Sequence, residues 1–144
     1  MKEKIYKFNT LALVLFFFVL VAGEIVLMLK WHAGEINPFF AILIGMGSLM
    51  GYLMMLTYAV EITENQLLGF YAVGKKRLVA FKAEYKNINR IGYSNYFFML
   101  GHSGKPNLIL IQTMIRGYKE ILETVITHKA DLFIEQRALK ELQP

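Results

Sequence analysis

The sequence predicts an α+β membrane protein: a hairpin of two transmembrane helices, then a small antiparallel β domain closed by a C-terminal amphipathic helix. Three observations predict it. Two long uncharged apolar runs occupy the first 60 residues. After Tyr58 the chain breaks into short strand-like segments separated by turn residues. After Arg116 the apolar period lengthens to that of a helix.

The first span covers residues of about 8–29. No residue from Phe8 to Gly23 is charged, and Ile25 to Leu29 resume the run after Glu24. At about 1.5 Å per residue this segment crosses a hydrocarbon core of roughly 30 Å, with Trp31 at the interface. The second span covers about 38–60, since Ile36 to Val60 carry no charge and Pro38 suits a first helical turn. The short connector with Gly34 and Asn37-Pro38 makes the helices antiparallel neighbours. Lys2, Lys4 and Lys7 precede the first span, and Lys75, Lys76, Arg77, Lys82, Lys86 and Arg90 follow the second. The positive-inside rule therefore puts both termini of a multi-pass membrane protein in the cytoplasm. A rival reading takes the start as a secretory signal peptide cleaved after Gly23, and it would leave an apolar Ile-Val-Leu-Met-Leu stretch next to the new N-terminus.

Within the spans, Ala41, Gly45, Gly47, Ser48 and Gly51 are small residues at helical spacing that let another helix approach closely. They serve packing within the hairpin or the face of a homo-oligomer. Glu24 is the one ionisable group set inside a span, and such a group must face protein or water or reach the interface. Snorkelling toward the outer surface is the simpler account of it. No charged partner in the second span suggests a relay, so a transporter or channel is not expected.

Past the spans, strands are expected near Ala59 to Thr63, Gln66 to Val73, Arg77 to Ala83, Ile88 to Ser94, Tyr96 to Gly101 and Leu108 to Gln112. Turn chemistry separates them at Glu64-Asn65, at Gly74-Lys75-Lys76 and along Gly101 to Pro106. Tyr118, Ile121, Leu122, Val125 and Ile126 share one helical face, which places the closing helix at about 116–142. The domains divide as residues 1–60 for the hairpin and 61–144 for the cytoplasmic part.

This layout resembles the bacterial pleckstrin-homology-like domains of small membrane proteins, including those linked to leaderless bacteriocin immunity. The likeness runs through Val60-Glu61-Ile62-Thr63-Glu64-Asn65, through Tyr85-Lys86-Asn87-Ile88-Asn89-Arg90-Ile91, and through Arg116-Gly117-Tyr118-Lys119-Glu120-Ile121-Leu122. It implies a curved sheet or partly open barrel plugged by the helix and used for binding, with seven strands where the reading above gives six. The resemblance also puts basic residues in the first hairpin turn of phosphoinositide binders, a place held here by Glu64-Asn65-Gln66.

The chemistry narrows by exclusion. With no cysteine, disulfides, thiol nucleophiles and thiolate metal sites are absent. His32, His102 and His128 lie in separate segments without ligand spacing, so no metal or other cofactor is expected. Gly101 to Lys105 lacks the first glycine and the Ser or Thr of a phosphate loop, having Met99 and Pro106 there. No nucleophile elbow or metalloprotease motif occurs, and the expectation is a protein without enzymatic activity. The aromatics Tyr93, Tyr96, Phe97 and Phe98 suit strand core better than base stacking, and a net charge of +5 is small for nucleic acid.

The candidate binding surface is the basic set Lys75, Lys76, Arg77, Lys82, Lys86 and Arg90, within reach of anionic headgroups worth about 1 kcal/mol per Lys or Arg. Three roles follow. One is a membrane-anchored adaptor that binds lipid headgroups or a protein partner; another is self-immunity against a membrane-active peptide; the third is a subunit of a larger membrane assembly.

Overall fold

The computed structural model describes residues 4–104, 106–129 and 131–143; Lys2 and Lys105, used in the sequence reading, lie outside them. The chain forms two compact units, Phe8–Thr57 and the remainder, Met1–Lys7 with Tyr58–Pro144.

The first unit is a pair of apolar helices, α1 (Thr10–His32) and α2 (Pro38–Thr57). Asn9 caps α1 by accepting the Leu11 N–H at 2.9 Å, and Asn37 does the same for Phe39 at 2.9 Å. Helix α1 runs unbroken through Gly23, and its last turn holds Lys30 and His32. Both helices are long and apolar enough to cross a membrane. Within the unit α1 buries no residue and α2 buries only Ala41.

The second unit begins before the helices. Strand β1 (Lys4–Lys7) pairs antiparallel with β2 (Tyr58–Ile62), Lys7 facing Ala59 and Lys4 facing Ile62. Strands β3 (Gln66–Val73) and β4 (Lys76–Glu84) complete a sheet of order β1-β2-β3-β4. A single 3-10 turn, Tyr85–Asn87, leads to β5 (Ile88–Ser94), β6 (Phe97–His102) and β7 (Leu108–Gln112). The second sheet has the order β7-β6-β5-β8, where β8 (Phe133–Ile134) joins in parallel after helix α3 (Tyr118–His128). Helix α4 (Gln136–Leu142) ends the described chain.

Two boundaries differ from the sequence reading. The division expected at 60/61 falls at 57/58, and residues assigned to the start of the hairpin supply an additional strand, β1, to the other unit. The single helix expected at 116–142 is two helices separated by β8, because Lys129 turns extended at φ −145° and Phe133–Ile134 finds backbone partners on β5. Tyr96, expected in a strand, sits in the β5–β6 turn at φ 70° with 68% exposure, so of the four aromatics it is Phe98 that is fully buried.

The core lies where the two sheets and α3 meet apolar side chains: Ile62, Leu67, Ile88, Ile91, Phe98, Leu100, Ile111, Ile121, Leu122 and Val125 are all buried to within 2%. Phe98 contacts the Tyr93 ring at 4.8 Å and stacks on Tyr118 at 5.8 Å. Strand β1 is tied in by more than its ladder. The Arg116 N–H donates to the Lys7 carbonyl at 2.8 Å, and Lys4 pairs with Glu120 of α3. Gly117 takes φ +80°, and a β-carbon there would lie 2.6 Å from the Tyr6 ring, so the turn into α3 needs glycine on two counts.

Candidate functional site

The β3–β4 hairpin extends past the end of its sheet. Strand β2 starts at Tyr58, opposite Tyr71, immediately after α2 ends at Thr57. Beyond that point β3 and β4 continue as a two-stranded ribbon, Ala72 facing Arg77 and Val73 facing Lys76. Gly74, at φ +59°, occupies the first position of the closing two-residue turn, where glycine is preferred, and Lys75 the second. The tip thus lies about 10 Å beyond Tyr71. Strand β1 leaves the same end of the sheet, since Lys7 faces Ala59. Both crossings from this sheet into the apolar helices and the basic turn therefore share one sheet end.

The ribbon is amphipathic and open. Val73 in the ribbon, and Leu78 and Val79 just inside the sheet end, are 55%, 56% and 61% exposed, an apolar stretch behind Lys75 and Lys76. Neither lysine has an ion-pair partner among the described residues. Arg77 is held differently. It donates to the Glu61 carboxylate at 3.0 Å and lies 4.8 Å over the Phe70 ring, compensating a nearly buried Glu61. Lys7, read in the sequence for topology alone, is exposed at this same end, and what would have linked it to the cluster is the β1–β2 register.

The rest of the predicted basic set disperses. Lys82 is exposed farther along β4. Lys86 lies in the 3-10 turn and pairs with Glu84 at 2.8 Å, which raises the ammonium and lowers the carboxyl from their ordinary values. Arg90 stands in the other sheet, paired with Glu135 and 5.8 Å from the Phe133 ring. Lys75, Lys76 and Arg77 come together; Lys82, Lys86 and Arg90 do not join them.

At the opposite end of the first sheet is a cleft of about 750 Å³ that sequence reasoning missed. The Glu64-Asn65 turn, Gln66, Tyr85, Lys86 and His128 line it. Tyr85 donates to the Thr63 carbonyl at 3.0 Å, packs 4.5 Å from the His128 ring, and is pushed up to about 12 by burial. Residues this far apart in sequence leave no local signal of a cleft. Among the described residues no group of three or more acidic, His or Cys side chains could hold a metal ion.

In the helical unit, the small residues of α2 separate onto two faces. Gly45 lies under the Glu24 carboxylate, Ser48 lines the same notch, and Ala41 is buried. Gly47 and Gly51 have nothing within 4 Å of a β-carbon placed on them, so no neighbour among the described residues fills the space beside them. Near the other end of the pair, Tyr52 stacks on Phe16 at 6.2 Å and meets Phe17 at 5.7 Å. Comparison of the chain with family models, curated proteins and solved structures gave no match.

Proposed function

We propose that this protein is a non-enzymatic, membrane-anchored binding module at the inner face of the bacterial cytoplasmic membrane, whose β3–β4 hairpin engages anionic lipid headgroups. Helices α1 and α2 cross the bilayer, both termini are cytoplasmic, and the β domain has a pleckstrin-homology-like fold. The observation that supports this most is the tip itself. Unpaired Lys75 and Lys76, backed by exposed Val73, Leu78 and Val79, occupy the sheet end from which the chain passes into α1 and α2. Two unpaired ammonium groups there suit an anionic leaflet, whose attraction for Lys and Arg falls off within a Debye length, roughly 8–10 Å. Seven antiparallel strands, four in one sheet and three in the other, followed by α3, agree with the strand count the resemblance requires. The hairpin's insertion between β1 and β2 also favours an uncleaved N-terminus, because cleavage after Gly23 would remove a strand.

The absence of native cysteine makes the test direct. A spin label on Leu78→Cys in nanodiscs is expected to become more accessible to lipid-soluble oxygen, and less to aqueous nickel chelate, when phosphatidylglycerol replaces half of the phosphatidylcholine. Lys75→Glu with Lys76→Glu should abolish that change. Equal aqueous accessibility in neutral and anionic discs would contradict the lipid reading and favour a protein partner.

A further inference from the structure

Helices α1 and α2 enclose a notch of about 300 Å³, the lower end of the size range of ligand pockets. Its walls are Phe16, Val19, Leu20, Leu27 and Ile44, and its one ionisable group is Glu24. The Glu24 carboxylate turns onto α2: a β-carbon on Gly45 would lie 2.8 Å from its Oε2. This is not the posture of a side chain stretching to a helix end. Glu24 stands about 12 Å along α1 from His32, and Gly45 about 10 Å along α2 from Pro38, so both lie roughly a third of the way in from the connector. Ser48, the hydroxyl lining the notch, already donates to the Ile44 carbonyl at 2.9 Å. Among the described residues no side chain supplies Glu24 with a hydrogen bond or a cation. A carboxylate at membrane depth is costly unless something compensates it.

We infer that this notch is a binding site for an amphiphilic primary ammonium, with Glu24 pairing the cation and the apolar walls taking the attached chain. The inference rests on the reading of α1 and α2 as membrane spans. Gly45 leaves room for the carboxylate to lie between the helices instead of facing lipid. The same chemistry comes from two sources, a free alkylamine or a lysine carried on a membrane-inserted peptide. In either case the ammonium replaces the missing internal partner.

The test uses the full chain in phosphatidylcholine nanodiscs and N-dansyl-1,10-diaminodecane, with empty discs subtracted. Alkaline carbonate extraction of the source membranes comes first: release of the chain would contradict the two-span reading, whereas retention with Glu24-independent binding would overturn the site alone. The expected result is saturable fluorescence for the native chain and an affinity about tenfold or more weaker for Glu24→Gln, the scale of a lost charge-assisted hydrogen bond. Glu24→Asp should recover part of it. Gly45→Leu, which fills the notch and keeps the carboxylate, should also weaken binding. A helical apolar peptide with one central lysine is then added as competitor. Displacement identifies peptide lysine as an accepted source, and no displacement restricts the site to the free amine. Equal binding by the native chain and Glu24→Gln would overturn the proposal.

Discussion

The helical unit and the β unit are both rich in apolar side chains and treat them in opposite ways. In α1 and α2 nearly every large side chain is exposed, Phe39 at 67% and Met46 at 67% among them, and Ala41 is the sole buried helix residue. In the β unit Phe98, Leu100, Ile111, Ile121 and Leu122 are at 0% exposure. One unit covers its hydrophobic surface from within the chain; the other leaves it uncovered, on two helices long and apolar enough to cross a membrane. The β3–β4 tip, with its free lysines and the apolar stretch behind them, belongs by pairing to the first kind and by exposure to the second.

The comparison is broken most sharply by matched substitutions. Phe98→Ala removes a ring packed between Tyr93 and Tyr118 and should cost the β unit about 3–5 kcal/mol. Phe39→Ala, in the other unit, should leave the unfolding transition of the β unit unchanged. Near-ultraviolet circular dichroism of the full chain in nanodiscs, followed against urea, distinguishes them. Gly117→Ala comes next. A left-handed backbone position and the Tyr6 ring both oppose the new methyl, and a loss of about 2 kcal/mol with faster amide exchange in β1 is expected. Unchanged exchange across Lys4 to Lys7 would mean that β1 is not held by this turn.

Arg77→Ala should cost about 1–2 kcal/mol, because it leaves the buried Glu61 carboxylate without its cation. Lys75→Ala at the unpaired tip should have no measurable effect on the same melt. The smallest effect concerns pH. Lys4, and then Tyr6, hold the Glu120 carboxyl below its ordinary value of 4.5. A carboxyl lowered in the folded state stabilises the fold above that ordinary value, and the contribution disappears as pH falls through the lowered one. Protection of the β1 amides, measured against their intrinsic exchange at each pH, should therefore fall slightly below pH 4.5 in the native chain and not in Glu120→Gln.

How much of this was legible in the sequence depended on distance along the chain. The two apolar runs and the strands from Tyr58 to Gln112 announce themselves locally, by composition and by turn residues such as Gly74-Lys75. Lys-Ile-Tyr-Lys at 4–7 does not, because four residues before a span have no visible partner and their partner strand starts at Tyr58. Phe133–Ile134 is too short for an alternating pattern, so a helix was expected to run through it. The basic cluster could be read as charge, but its divided fate could not. Arg77 with Glu61 and Arg90 with Glu135 are cross-strand pairings fixed by register, as the Glu24–Gly45 contact is fixed by how α1 and α2 face each other.

The β unit is assembled from chain on both sides of the helix pair, and the proposal's central claim is that it lies on the cytoplasmic side of two membrane spans. Single cysteines at Lys4, Glu35 and Glu123, probed in intact cells with a membrane-impermeant maleimide, test it directly. The account predicts labelling of Glu35→Cys alone, with Lys4→Cys and Glu123→Cys reacting only after the cells are opened. Labelling of Lys4→Cys from outside while Glu123→Cys stays protected would put β1 and α3 on opposite sides of the membrane and contradict it.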